Sequence, residues 1–312
     1  MSEIERIERR ISLHDLRVLI SVIESGSMGK AAERLATSQP AVSRSIADLE
    51  QALGVRLLDR SPQGVEPTPY GMALVHRGVA AFDELRQGVK DIEFLADPTA
   101  GELRIGASVS VAAGLVSAVI DRLSRKYPRL SFQVLAVGTT AACCALIERK
   151  VDLVMGHLVE VAAEEQLSTE VLYREPLVVA AGVQSPWAKR RRLVLADLMN
   201  EPWTLPPPDT PFGFLVSEAF RASGLNVPRT TVVSSLPVRN ALLATGRFLT
   251  MIPSVLLAFS AKYAALKSLP INVPTRDLAI GVITLKNRTL HPVANLFINS
   301  AREAAKDLSK NR

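Results

Sequence analysis

Ser38, Gln39, Pro40, Ser43 and Arg44 fall within one short stretch of a 312-residue chain. Hydroxyl, amide and guanidinium groups at this spacing can hydrogen-bond to nucleic-acid base edges and phosphates. Pro40 fits the first turn of a helix, where its missing N–H needs no partner, and Ser38 can cap that turn. The positive end of the helix dipole then lies beside the same side chains and favours phosphate. A small helical bundle with a solvated polar face is the competing reading of this stretch.

The flanking elements decide what these residues can reach. Leu13, Leu16, Leu19, Ile20 and Val22 recur mostly at three- and four-residue intervals, which predicts an amphipathic helix. Gly26 is expected to end it, and Ser27 to start a second helix from Met28 to Leu35. Ala31 and Ala32 on that helix predict close approach by a neighbour. After "ATS", a third helix over Gln39 to Leu53 turns Val42, Ile46, Leu49 and Leu53 inward and stops at Gly54. Two helices joined by so short a turn match a helix-turn-helix. "VRLLDRSPQGVEPTPYG" then reads as a β-ribbon wing, with Arg60 placed for a phosphate or the minor groove and Thr68 at the start of the next helix. Residues 70–95 lack proline, and Val75, Phe82 and Val89 alternate with Gly78, Leu85 and Ile92 in a heptad-like stripe. The expected role of this long helix is pairing with a second copy, so that two heads read two half-sites.

Beyond the hinge "ADPTAG" (96–101), strand-like runs alternate with helical ones, predicting α/β organisation. Strands are expected at 103–107, 130–137, "VDLVMG", "PLVVAAG", "WTLP", "RTTVVSS", "FLTMIP" and "LAIGVITLK". Hydroxyls of Ser108, Ser110, Thr139, Thr140, Ser234 and Ser235 collect where strands end and helices begin, the usual ligand edge of such sheets. They predict a polar small-molecule pocket.

Composition excludes several classes. The N-terminus "MSEIERIERR" is not a signal peptide and no apolar run would span a membrane, so a cytoplasmic protein without membrane partners is expected. Cys143 and Cys144 are adjacent, the four histidines are scattered, and no metal, cofactor or catalytic constellation is visible. Net charge is +6, yet residues 1–66 hold nine Lys or Arg against ten Asp or Glu. The densest basic run, Lys189-Arg190-Arg191-Arg192, lies elsewhere. Pattern rather than bulk charge carries the nucleic-acid reading. A solute-binding protein whose N-terminal helices serve only for assembly is the alternative.

"ESGSMGKAAERLATSQPAVSRSIADLEQALGVRLLDRSPQGVEPTPYG" resembles the LysR-type transcriptional regulators, and "GELRIGAS", "RKVDLVMG" and "LLATGRFLTMIP" extend the resemblance over nearly the whole chain. Met28 and Leu58 replace the usual aromatics, and "GRFLT" departs from the family's Gly-x-Gly-Ile. The resemblance implies an α/β fold with an N-terminal all-α winged helix-turn-helix (1–69), a dimerisation helix (70–95) and an effector domain (96–312). That domain would be periplasmic-binding-protein-like, with one α/β subdomain at 101–181 plus 271–312 and another at 182–270. It implies DNA contacts from Ser27, Ser38, Gln39, Pro40, Ser43, Arg44, Arg60 and Thr68. Ser108, Thr139, Pro207 and Ser235 match the effector cleft. Val75, Phe82, Leu85, Val89 and Ile92 would form the dimer. Double-stranded DNA at an interrupted palindrome near a promoter, a small-molecule effector, a dimer of dimers and RNA polymerase are the implied partners. "SMGKAA" and "TGRFLT" look most like the subgroup of the galactose-binding-protein regulator, which implies a sugar or sugar-derived acid as effector.

Overall fold

The first three helices form because each has a start signal, an apolar stripe and a stop. In a computed structural model, which describes residues 10–61, 64–158, 161, 165–233, 236–258 and 266–310, they are α1 (Leu13–Ser25), α2 (Met28–Arg34) and α3 (Gln39–Leu53). Gly26 and Gly54 end α1 and α3 in the left-handed conformation (φ 63° and 71°), where a Cβ is disfavoured. Val18, Leu19, Val22, Ala31, Ala32, Val42, Ile46 and Leu49 are buried together. Met28 and Leu58, the two departures from the usual aromatics, are buried in the same core. The turn between α2 and α3 passes through Ala36, a non-glycine residue at φ 51°. The wing strands β1 (Leu58–Ser61) and β2 (Gly64–Pro67) pair antiparallel. Glu50 of α3 accepts from the backbone N–H groups of Leu57 (2.7 Å) and Leu58 (3.2 Å), and the N–H of Val65 donates to the carbonyl of Gly26.

Helix α4 (Pro69–Ala96) follows directly. At 1.5 Å per residue its 28 residues run about 42 Å. The expected pairing stripe divides along its length. Val75 packs on the core of its own three-helix unit, Gly78 lies against Leu16 and Ile20 of α1, and the Arg17 guanidinium sits 4.8 Å from the Phe82 ring centre. Leu85, Val89, Ile92 and Leu95 are 51%, 53%, 68% and 80% exposed. Val75 and Phe82 thus serve the chain's own packing, because α1–α3 cover only the first turns of α4. The chain divides into compact units at 1–89 and 90–312, within α4 rather than after it.

The second unit contains two five-stranded sheets. In the first, β3 (Ala100–Ala107), β4 (Arg129–Ala136) and β5 (Leu153–His157) run parallel, and β12 (Leu278–Leu285) lies antiparallel between β5 and β6 (Leu167–Glu175). In the second, the order is β11 (Leu266–Ser268), β7 (Leu177–Gly182), β10 (Leu249–Pro253), β8 (Trp203–Leu205), β9 (Thr230–Val233). Strands β8, β9 and β10 are parallel there, and β7 runs against β10. Helix α5 (Ser117–Lys126), preceded by a π-wound turn over Ala112–Val116, and α10 (Pro292–Lys310) cover the first sheet. The remaining helices are α6 (Thr139–Ile147), α7 (Pro211–Ala222), α8 (Leu236–Ala244) and α9 (Val255–Ala258).

One expectation needs correction, and two strands are absent from the sequence reading. Residues 177–181 were assigned to the first subdomain, but β7 pairs with β10 and β11 of the second sheet. Pro176 breaks the chain after β6, and Leu177, Val179 and Ala181 then point into the second core. The strand β6 was not expected, because as an edge strand it exposes most of "LSTEVLYRE" and loses the apolar alternation. Strand β11 has three residues, too few to carry a pattern.

Asp152, at the start of β5, is fully buried and gathers the loops of the first sheet. It accepts from Arg104 (2.8 Å), Arg288 (2.8 Å) and Lys90 (3.3 Å), and His291 lies 3.7 Å away. Burial alone would raise its pKa, but the neighbouring His291 imidazole, the hydrogen bonds from Arg104 and the charge of Lys90 hold it well below the usual carboxylate range.

Candidate nucleic-acid interface and ligand cleft

On the first unit, Ser38 stands at the N-cap of α3 and its Oγ accepts from the Ala41 N–H at 3.4 Å. Gln39, Pro40 and Arg44 are exposed on the two turns that follow, and Ser43 is half-buried. Among the described residues, neither the Gln39 amide nor the Arg44 guanidinium has a hydrogen-bond or ion-pair partner. Ser45, one position on, turns inward, and its Oγ donates to Asp15 of α1 at 2.6 Å. Burial would raise the Asp15 pKa, but the hydroxyls of Ser12 and Ser45 hold it below its ordinary value. The arginine side of α3 is therefore presented on a helix locked to its neighbour. Ser27 occupies the N-cap position of α2 without a capping side-chain bond, and Arg60 is exposed on the wing strand.

Thr68 stands at the start of α4, where the sequence predicts it. It is 8% exposed, donates to the carbonyl of Arg56 (2.8 Å) and accepts from the N–H of Gly71 (3.1 Å). Its hydroxyl is committed to starting α4, so Thr68 orders the wing-to-helix junction rather than offering a free donor to a phosphate.

On the second unit, the carboxyl ends of β3 and β5 come together. The N–H of Ser108, just past β3, donates to the carbonyl of Met155 at 3.0 Å, and its buried Oγ has no hydrogen-bond partner among the described residues. Thr139, fully buried, opens α6 and lies against Gly156, where an added Cβ would sit 2.8 Å from its Oγ1. His157 follows, 3% exposed, with its ring 6.3 Å from that of Phe212 at the start of α7. Burial pushes the His157 pKa down to about 4, so the imidazole is neutral near pH 7. Pro207 is half-buried, and its carbonyl accepts from the hydroxyl (2.6 Å) and N–H (3.1 Å) of Thr210, which caps α7. Ser235 lies outside the described residues. Ser108 and Thr139 share one edge of the first sheet, and Pro207 begins the facing loop of the second, beside a cavity of about 100 Å³ lined mainly by Leu205, Pro206, Pro208, Val216 and Val227.

Sequence reasoning overlooked His157 and Phe212, which meet only through the fold. It also overlooked Arg239 in α8, which is 7% exposed and whose Nε has no hydrogen-bond partner among the described residues. The signal for Arg239 was a lone cation inside "LPVRNALLA", surrounded by apolar residues.

A wing and capped recognition helix followed by a two-lobed α/β domain define a ligand-responsive DNA-binding regulator. Residues 13–72 match the family described as "Bacterial regulatory helix-turn-helix protein, lysR family", and residues 96–306 match "LysR substrate binding domain". The chain belongs to the LysR family of transcriptional regulators, with a DNA-binding head and an effector-binding domain. It is 28% identical over 302 residues to the HTH-type transcriptional regulator GbpR of Azospirillum brasilense, spanning 96% of this chain and 88% of that protein. In fold it is similar to a full-length OxyR from Pseudomonas aeruginosa (TM-score 0.65, 22% identity, 93% of this chain and 97% of that one). It is also similar to full-length CbnR complexed with its target DNA (TM-score 0.55, 21% identity, 95% of this chain and all of that one, 100%). The match over residues 13–72 sets aside the reading of the N-terminal helices as assembly elements of a solute-binding protein.

Proposed function

We propose that Gln39 and Arg44 read base edges in the major groove, while Ser27, Ser38, Pro40, Ser43 and Arg60 position the head on the sugar-phosphate backbone. The observation that supports this most directly is the exposure of Gln39, Pro40 and Arg44 on the first turns of a capped helix. Leu85, Val89 and Ile92 pair two chains, so two heads meet an interrupted palindrome near a promoter, and a dimer of dimers spans it. A small molecule at the edge holding Ser108, Thr139 and Pro207 alters how the chains assemble and so the spacing of the heads. The protein acts in the cytoplasm, makes no covalent change in its ligand and works through RNA polymerase at the promoter.

The test is binding to the DNA flanking its own gene, set against a scrambled duplex, with salt varied. Specific DNA should be bound roughly 10³-fold more tightly or better, with a steep salt dependence. Gln39→Ala and Arg44→Ala should each cost about 1–3 kcal/mol on the specific site. Equal affinity for both duplexes would refute the reading.

A further inference from the structure

Helix α8 packs on β7, β8 and β10, and its buried face carries Arg239 and Leu243. The carbonyl of Leu243 lies beside Gly182, at the end of β7 level with Leu249 of β10 and Trp203 of β8. Arg239 is one turn back, about 5.4 Å along the axis, or nearly two strand residues. That places it at the level of Thr204 and Thr250, toward the carboxyl ends of β8 and β10. Trp203 and Leu205 point into the second core, so Thr204 between them points to the opposite face, the one α8 covers. Thr204 is fully buried and its Oγ1 has no hydrogen-bond partner among the described residues. Thr250 is equally buried, with its Oγ1 donating to the Thr204 carbonyl at 2.7 Å. Ala180 and Ile252, on the same sheet face, pack into the core of the first sheet, so this face looks across to the other lobe.

An arginine kept this far from water with no anion beside it among the described residues is costly, and a ligand that supplies the charge removes that cost. We propose that Arg239 is the anchor for a carboxylate on the effector, with the Thr204 hydroxyl as a neighbouring hydrogen-bond donor. The proposal rests on the reading of this domain as effector-binding and names the chemical class of what it binds. A guanidinium fork matches a carboxylate bidentately, and 7% of the residue remains open to an incoming group. One cation balances one negative charge. His157, on the facing lobe, is neutral near pH 7 because burial lowers its pKa to about 4, so it adds no second charge for a dianion.

The full-length chain is titrated by calorimetry and thermal shift with D-galacturonate, D-gluconate, benzoate and pyruvate. Each is set against the alcohol that replaces its carboxylate: D-galactose, sorbitol, benzyl alcohol and hydroxyacetone. Inorganic phosphate is run alongside. At least one acid should bind well above its alcohol and above phosphate. Arg239→Gln should weaken that acid about 30-fold or more, and Arg239→Lys should retain part of the binding. Without ligand, Arg239→Met should melt at or above the wild-type temperature, because it removes an uncompensated buried charge. The proposal is overturned if no acid binds, if an alcohol or phosphate equals the acid, or if Arg239→Gln binds the acid unchanged. A clear drop in the melting temperature of Arg239→Met overturns it as well. None of these measurements uses DNA, so failure of DNA recognition and failure of this proposal are separately visible.

Discussion

At the scale of single residues, Ser45 and Arg44 show how neighbouring side chains divide labour on one helix. Arg44 faces solvent while Ser45 turns back to Asp15, so the presented face is fixed by the hidden one. Ser45→Ala removes a hydrogen bond to a charged acceptor and should cost about 1.5 kcal/mol, read from chemical denaturation. Ala36 holds a left-handed backbone that glycine adopts without steric penalty. Ala36→Gly should therefore raise stability by up to about 1 kcal/mol while leaving the turn in place, as melting curves would report. The placement of Gln39 and Arg44 on the first turns of α3 was legible in the sequence because the cap, the proline and the apolar spacing around them are local. Thr68 was read as a helix start for the same reason. Its local pattern says helix start, but its burial depends on the carbonyl of Arg56, twelve residues earlier.

At the scale of elements, α4 was legible in extent, but not in how its stripe divides between home packing and an open face. A heptad-like stripe records that a face is apolar; it does not record what covers it. Gly71 and Gly78 mark the half that packs at home: a Cβ on Gly71 would lie 2.1 Å from the carbonyl oxygen of Leu57. Gly71→Ala should consequently displace the helix start and lower the melting temperature sharply, whereas a substitution farther along should not. Leu85→Asp combined with Ile92→Asp leaves the first unit's core untouched. It should convert the assembly to smaller species in sedimentation velocity with little loss of helix by circular dichroism. The strands β7, β8, β10 and β12 were read directly from apolar runs, since buried strands carry that signal. Edge strand β6 was not, because half of it faces water.

At the scale of the whole molecule, two buried groups set the response to acid. His157 has a folded-state pKa near 4 against an ordinary 6.5, so the unfolded chain takes up its proton first as pH falls. Stability should decline between pH 6.5 and 4 by about 1.4 kcal/mol per pH unit from this group, and His157→Gln should flatten that limb. Asp152 has a folded pKa below its ordinary 3.8, so its contribution is intact above that range and is lost as pH falls further. Asp152→Asn should cost about 3–5 kcal/mol near neutral pH by stranding Arg104 and Arg288. The α/β organisation was legible from alternating strands and helices, and the division into two lobes only through the family resemblance. The meeting of His157 with Phe212, and of Asp152 with Arg288 and His291, was not. These partners are separated by 55 or more positions in the chain, and only topology joins them.

The place of β12 bears on how the polypeptide is made. It is inserted between β5 and β6, yet it is translated more than a hundred residues after either of them. During synthesis the first lobe must wait, with two strand edges open, until β12 has emerged from the ribosome. A premature stop near residue 275 would then spoil the earliest-made sheet of this region as surely as one a hundred codons upstream, and the nascent chain is a natural client for a chaperone in that interval.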